Sequence, residues 1–92
     1  MMRVLQTRGF AKTYKKLHAN QRAIADEAIR HLLQSPEDGE FKKADLQGIR
    51  VYKFRMLSQL MLLGYRHEAE SGTLTLLALG SHENFYRDLK QH

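Results

Sequence analysis

Between residues 34 and 49 the hydrophobic pattern of this chain changes period, and that change decides the class of fold it can adopt. From Gln21 to Gln34, Ile24, Ala25, Ala28, Ile29, Leu32 and Leu33 recur at the spacing of one helix face. From Ile49 onward, Tyr52, Phe54 and Met56 alternate with Lys53 and Arg55, which is the two-residue period of a strand covered on one side. Ser35-Pro36-Glu37-Asp38-Gly39 separates the two regimes and combines a proline, two acids and a glycine to stop the helix.

The remaining elements follow by the same reading. Arg3 to Thr7 is a short first strand. Gly9 and Phe10 lead into a basic first helix, Ala11 to Leu17, in which Phe10, Tyr14 and Leu17 share a face. Asn20 is the expected N-cap of the second helix. Leu57-Ser58-Gln59 is a turn, and Leu60 to Arg66 is nearly all apolar, as a central strand covered on both sides must be. Glu68 to Gly72 is a hairpin loop and Thr73 to Leu79 the last strand. Ser81 then caps a final helix from His82 to about residue 90. The expected class is α+β, in the order β-α-α-β-β-β-α. An N-terminal helical hairpin packs on a mostly antiparallel four-stranded sheet, and part of the other face is left for function. No linker, repeat or low-complexity tract interrupts residues 1–92, which read as one domain.

Composition narrows the function. The chain has no cysteine, so disulfides, thiolate metal sites and thiol nucleophiles are excluded, and a reducing cytoplasm is the expected location. No apolar run is long enough to span a bilayer, and the start lacks the apolar core of a secretory signal. Fifteen Lys and Arg against ten Asp and Glu give a net charge of +5, which suits a polyanionic or acidic partner.

The residues able to carry chemistry sit at the ends of strands. Lys53 and Arg55 lie two apart and point the same way. They form either a solvated strand face or a clamp that stabilises negative charge developing on phosphorus. His82 follows Gly80 at a strand-to-helix corner. Its imidazole is either a plain surface group or a base that takes a proton from a ribose 2′-hydroxyl. The positive end of a helix disfavours a charged imidazole, which favours the base role. Tyr86 falls four residues on, on the same helix face. It either packs the helix, as Phe85 is expected to, or stacks on a base. The other histidines, at 18, 31, 67 and 92, show no metal-ligand spacing, so neither a metal nor a cofactor is expected. Lys15, Lys16, Arg22 and Arg30 read as the solvated outside of the helical hairpin, and Lys42-Lys43 as a loop patch.

With these residues in place, the chain resembles the RelE/ParE superfamily of toxins from type II toxin–antitoxin pairs. The resemblance extends over nearly the whole chain. It rests on the element order, on Tyr52-Lys53-Phe54-Arg55, on Leu63-Gly64-Tyr65-Arg66, and above all on Leu79-Gly80-Ser81-His82-Glu83-Asn84-Phe85-Tyr86. RelE-type relatives place a catalytic Arg or His shortly after this glycine and an aromatic a few residues later. The resemblance implies metal-independent cleavage of mRNA on the ribosome, with His82 as acid or base. It gives Lys53 and Arg55 the phosphate and its extra charge, and Tyr86 the orientation of the substrate. RelE-type enzymes also carry an arginine within the third strand. Here that stretch is Leu60-Met61-Leu62-Leu63, and Arg66 at its end is the available substitute for RNA binding. The same superfamily includes ParE-type toxins that bind and inhibit DNA gyrase without nuclease activity, which is the alternative function. Either kind implies a cognate antitoxin in a hetero-oligomeric complex, with an acidic extended segment suited to a basic surface and an exposed sheet edge.

Overall fold

The computed structural model describes residues 2–42, 48–82 and 85. Within them the chain forms β1 (Arg3–Gln6), α1 (Arg8–Lys15), α2 (Ala19–Gln34), a 3-10 turn (Pro36–Asp38), β2 (Glu40–Lys42), β3 (Ile49–Met56), β4 (Gln59–Glu68) and β5 (Thr73–Ser81). The α+β class and the helical hairpin are as expected. The sheet has five strands rather than four, in the order β1-β5-β4-β3-β2. The added strand is β2, which holds three residues and reverses onto β3 through Glu40↔Val51. Three residues show no readable period, so the residue order indicates a loop at Lys42, which is instead paired with Ile49. The C-terminal helix expected from His82 lies outside the described residues.

The polar pattern at the helix starts explains their boundaries. Thr7 caps α1, its hydroxyl accepting from the Phe10 amide, so the helix begins at Arg8, earlier than its apolar stripe indicates. α2 begins at Ala19 with His18, not Asn20, as N-cap, and the Gln21 side chain accepts from the His18 amide at 2.8 Å. A glutamine at the third helical position returns to the cap and fixes the start two residues before the sequence suggests. Tyr14 donates to Asp26 at 2.7 Å and ties α1 to α2.

The helices cover one sheet face. Phe10, Ala25 and Leu32 from the helices pack on Met56, Met61, Leu63, Tyr65, Leu74, Leu76 and Leu79 from the strands. A smaller cluster of Val51, Leu62, Ala78 and Phe85 occupies the opposite face. On β5 the residues facing the helices change parity because the strand is irregular. Gly64 pairs with Ala78 but Tyr65 with Leu76, so β5 carries an extra residue at Leu77. The bulge exchanges the faces: Leu74 and Leu76 meet the helices before it, and Leu79 meets them after it. Thr7 secures the bulge, its amide donating to the Leu76 carbonyl and its hydroxyl to that of Leu77.

Tyr65 locks the connection between the layers. Its ring is fully buried, its hydroxyl donates to the Pro36 carbonyl and accepts from the Gly39 amide at 2.9 Å. A Cβ at Gly39 would lie 2.5 Å from that hydroxyl and 2.6 Å from the ring. Gly39→Ala is therefore expected to destabilise by about 2–4 kcal/mol, from overpacking together with a disturbed buried hydrogen bond. Thermal unfolding would register this as a melting point lower by roughly 10 °C or more. Burial pushes the Tyr65 phenol above its ordinary value of 10.0, so the fold favours the neutral form. That preference stabilises fully below pH 10 and is lost as pH rises beyond it. Tyr65→Phe should accordingly flatten the alkaline limb of a stability–pH curve while lowering stability at neutral pH by about 1–3 kcal/mol.

The β3–β4 turn is strained. Met56 pairs with Gln59, leaving two residues in the turn, and Leu57 has φ 58° while Ser58 does not enter the positive region. Glycine is the usual occupant of such a first turn position. A leucine there costs roughly 1–2 kcal/mol, and its side chain is 58 % exposed.

Candidate active site on the open sheet face

Side chains on the face away from the helices come from alternate positions of β3 and β4. Lys53 pairs with Leu62 and Leu62 with Gly80, which sets one row across three strands. Arg55 pairs with Leu60 in the next row, and His82, in the turn one residue past the Met61↔Ser81 pair, lines one cavity with Leu60. Lys53, Arg55 and His82 are all exposed. Directly opposed residues stand about 5 Å apart, so Arg55 adjoins Leu60, which His82 also neighbours, with Lys53 one row away. Lys53 and Arg55 are both exposed, and no ion pair among the described residues involves either.

Arg66 lies elsewhere. It shares the open face but pairs with Thr75, at the far end of β4 from Leu60. At about 3.3 Å per residue it stands roughly 20 Å along the strand from the Arg55–Leu60 row. Phe85 occupies the ground between, packed on Val51, Leu62 and Ala78. A Cβ at Gly64 would come within 2.8 Å of the Phe85 ring, so the glycine is the seat of that ring. Phe85 thus packs as the sequence indicates, and Arg66 does not join the three other cations and bases. Phe85→Ala should uncover this small cluster and destabilise by about 3–5 kcal/mol, which chemical denaturation would measure.

The expected corner is also displaced. Gly80 does not break β5, which continues to Ser81. His82 is in a turn immediately after it. Tyr86 lies outside the described residues. Among the described residues no group of three His, Asp or Glu side chains is placed to hold a metal ion. The arrangement can bind an anion through Lys53 and Arg55, and place an imidazole beside it.

Two features were not anticipated. Ser58, Gln59, Leu60, Ser81 and His82 line a cavity of about 280 Å³ at the end of the sheet. A larger groove of about 450 Å³ runs between α2 and β3, lined by Ile24, Ala28, His31, Tyr52, Phe54 and Arg55 among others. There His31 stacks on Tyr52 at 5.4 Å, and Tyr52 on Phe54 at 6.1 Å. The alternation of β3 did signal the aromatic side of this groove. Nothing in the residue order announces the first cavity, because it depends on the sheet bringing Ser58, Gln59 and Leu60 beside Ser81 and His82.

Comparison with known proteins agrees with this fold. A family described as the ParE-like toxin of type II bacterial toxin–antitoxin systems matches residues 4–90. Comparison with curated proteins gives no significant match. Among solved structures, the chain is similar to the intact E. coli RelBE toxin–antitoxin complex, with a TM-score of 0.73 and 18% identity over 88% of this chain and 96% of that one. It is similar to the YoeB/ParE toxin from Agrobacterium tumefaciens, with a TM-score of 0.71 and 19% identity over 88% and 99%. The toxin–antitoxin complex RelBE2 from Mycobacterium tuberculosis gives 0.69 and 23% over 88% and 98%.

Proposed function

The chain belongs to the ParE-like toxins of type II bacterial toxin–antitoxin systems, and from the residues on its open sheet face we propose that it is a ribosome-dependent mRNA endoribonuclease acting in the cytoplasm. The observation that carries the reading is the open sheet face itself: Lys53 and Arg55, with no ion-pair partner among the described residues, and the exposed His82 beside Leu60, the residue with which Arg55 pairs. In the proposed reaction the 2′-hydroxyl of a ribose attacks the adjacent phosphate and the 5′-oxygen of the next nucleotide leaves. His82 takes the proton of the attacking hydroxyl as general base, or protonates the leaving oxygen as general acid. Arg55 and Lys53 stabilise the added charge on the phosphoryl oxygens. Tyr86 is assigned to substrate orientation, and Arg66, remote from the other groups, to a flanking stretch of RNA backbone.

A cognate antitoxin is the expected partner, in keeping with similar folds solved as RelBE complexes. Beyond Val51 the outer edge of β3 carries no partner strand among the described residues. The groove beside it ends at Arg55. An acidic segment seated there would reach Arg55 directly, and its continuation across the β3 edge onto the open face would cover Lys53 and His82, silencing the toxin.

Induced expression in bacterial cells tests the proposal against gyrase inhibition. Incorporation of labelled methionine should collapse while plasmid supercoiling is unchanged. Loss of supercoiling ahead of translation would instead assign the chain to the gyrase-directed toxins.

A further inference from the structure

We propose that the outer edge of β1 is a self-association surface, at which two copies of this chain join their β1 strands antiparallel with Val4 opposite Val4 of the second copy. β1 ends the sheet and pairs on one side only, parallel to β5. In a parallel ladder the amide and carbonyl of one residue point to the same side, and those of the next residue to the other. The amides of Arg3 and Thr7 donate to the Gly72 and Leu76 carbonyls, so Val4 and Gln6 turn their N–H and C=O groups outward. Among the described residues no strand receives them. The side chains are equally open. All four residues of β1 are exposed, Val4 at 40 % and Leu5 at 45 %. An edge of this kind is normally blunted by a lysine, a proline or a bulge, and β1 carries none of these.

Register and charge select a second copy as the occupant. For two sheets to continue as one, the two-fold axis stands perpendicular to them, and opposed residues share a face. Val4 lies in the row of Leu74, on the helix side, and Arg3 and Leu5 lie in the rows of Thr73 and Thr75, on the open side. Centred on Val4, the pairing joins the outward backbone groups of Val4 to those of Val4 in the second copy, and those of Gln6 to its Met2. Arg3 then comes opposite Leu5, so its aliphatic stem covers an exposed leucine while the guanidinium stays in water. No two like charges are opposed. The free edge of β3 lacks this property, since self-pairing about Phe54 would set Lys53 against Arg55. That basic edge suits an acidic segment, whereas β1, with one charge, suits its own copy. The join leaves the β3 edge and the α2–β3 groove uncovered. β3 stands three strands in from β1, so at about 4.8 Å per strand the Lys53 and Arg55 sites of the two copies lie on one side of the sheet, roughly 34 Å apart. A contact through one short strand falls below the roughly 1,200 Å² of stable interfaces, and the dimer forms in a concentration-dependent way.

The chain has no cysteine, so a single introduced thiol reports on self-pairing without background. In a hydrogen-bonded antiparallel pair the Cα atoms stand about 5.5 Å apart, within the span of a disulfide. Val4→Cys should therefore form a covalent dimer under mild oxidation. Leu5→Cys, two residues out of register with its copy and roughly 8 Å from it, should not. Light scattering of the parent protein over a concentration series should show a mass rising towards twice that of the chain. Val4→Lys opposes two like charges and should weaken association by about tenfold or more. Its melting temperature in dilute solution should match that of the parent, because the side chain is exposed. Three results would each overturn the proposal: a parent of single-chain mass at every concentration, a dimer indifferent to Val4→Lys, or faster crosslinking by Leu5→Cys than by Val4→Cys. So would β1 amides that gain protection from hydrogen exchange only when a cognate antitoxin is added, which would give this edge to the antitoxin.

Discussion

His82→Ala is expected to lower mRNA cleavage by about 10²–10⁴-fold, the usual contribution of one positioned acid–base group. The reasoning begins with exposure. His82 stands in a turn after Ser81, outside both hydrophobic clusters. Truncating such a side chain changes stability by no more than about 0.5 kcal/mol, so a loss of activity can be read as chemistry rather than unfolding. Circular dichroism and thermal melts of the variant should overlay those of the parent protein. Single-turnover cleavage, where binding is saturated, should carry the whole deficit. A surface histidine with no part in the reaction would leave that rate unchanged.

The second large effect is expected from the strand cations. Arg55→Ala and Lys53→Ala should each reduce cleavage by about 10²–10³-fold, as loss of one charge-stabilising group does in other enzymes. The two side chains face outward from one strand, with no carboxylate partner among the described residues. Among the described residues no side-chain hydrogen bond or ion pair of the fold depends on them. Two like charges this close on one strand repel, so the double variant should be at least as stable as the parent. Its cleavage should fall further than that of either single variant, though by less than the product of the two losses if both cations act on one phosphate. The titration that checks this is cleavage rate against salt. A parent that loses activity steeply with added salt and a double variant that barely responds would place the cations on the RNA backbone.

How much of this could be read from residue order depends on whether each feature is local. The helical stripe of α2 and the alternation of β3 are local, and β3 runs over Ile49–Met56 as the pattern indicates. Lys53, Arg55 and His82 were nameable for the same reason, since each stands at a position whose exposure follows from its neighbours. β2 was hidden because Glu40, Phe41 and Lys42 are too few to show a period. The cap of α2 was misplaced because Asn20 is the better capping residue in isolation, whereas Gln21 folding back on His18 decides the boundary. The bulge at Leu77 and the cavity beside His82 depend on register between strands distant in sequence. So does the separation of Arg66 from the other cations. It shares their strand face in the pattern, and only the length of β4 and the seat of Phe85 on Gly64 reveal how far off it lies.

The central claim, that this toxin cleaves mRNA on the ribosome through His82, is tested most directly by primer extension on a reporter mRNA in a purified translation system. Parent protein and His82→Ala would be compared with ribosomes present and omitted. Cuts that require ribosomes and vanish with His82→Ala are the predicted result. Intact mRNA in every lane, or equal cutting by the two proteins, would contradict it.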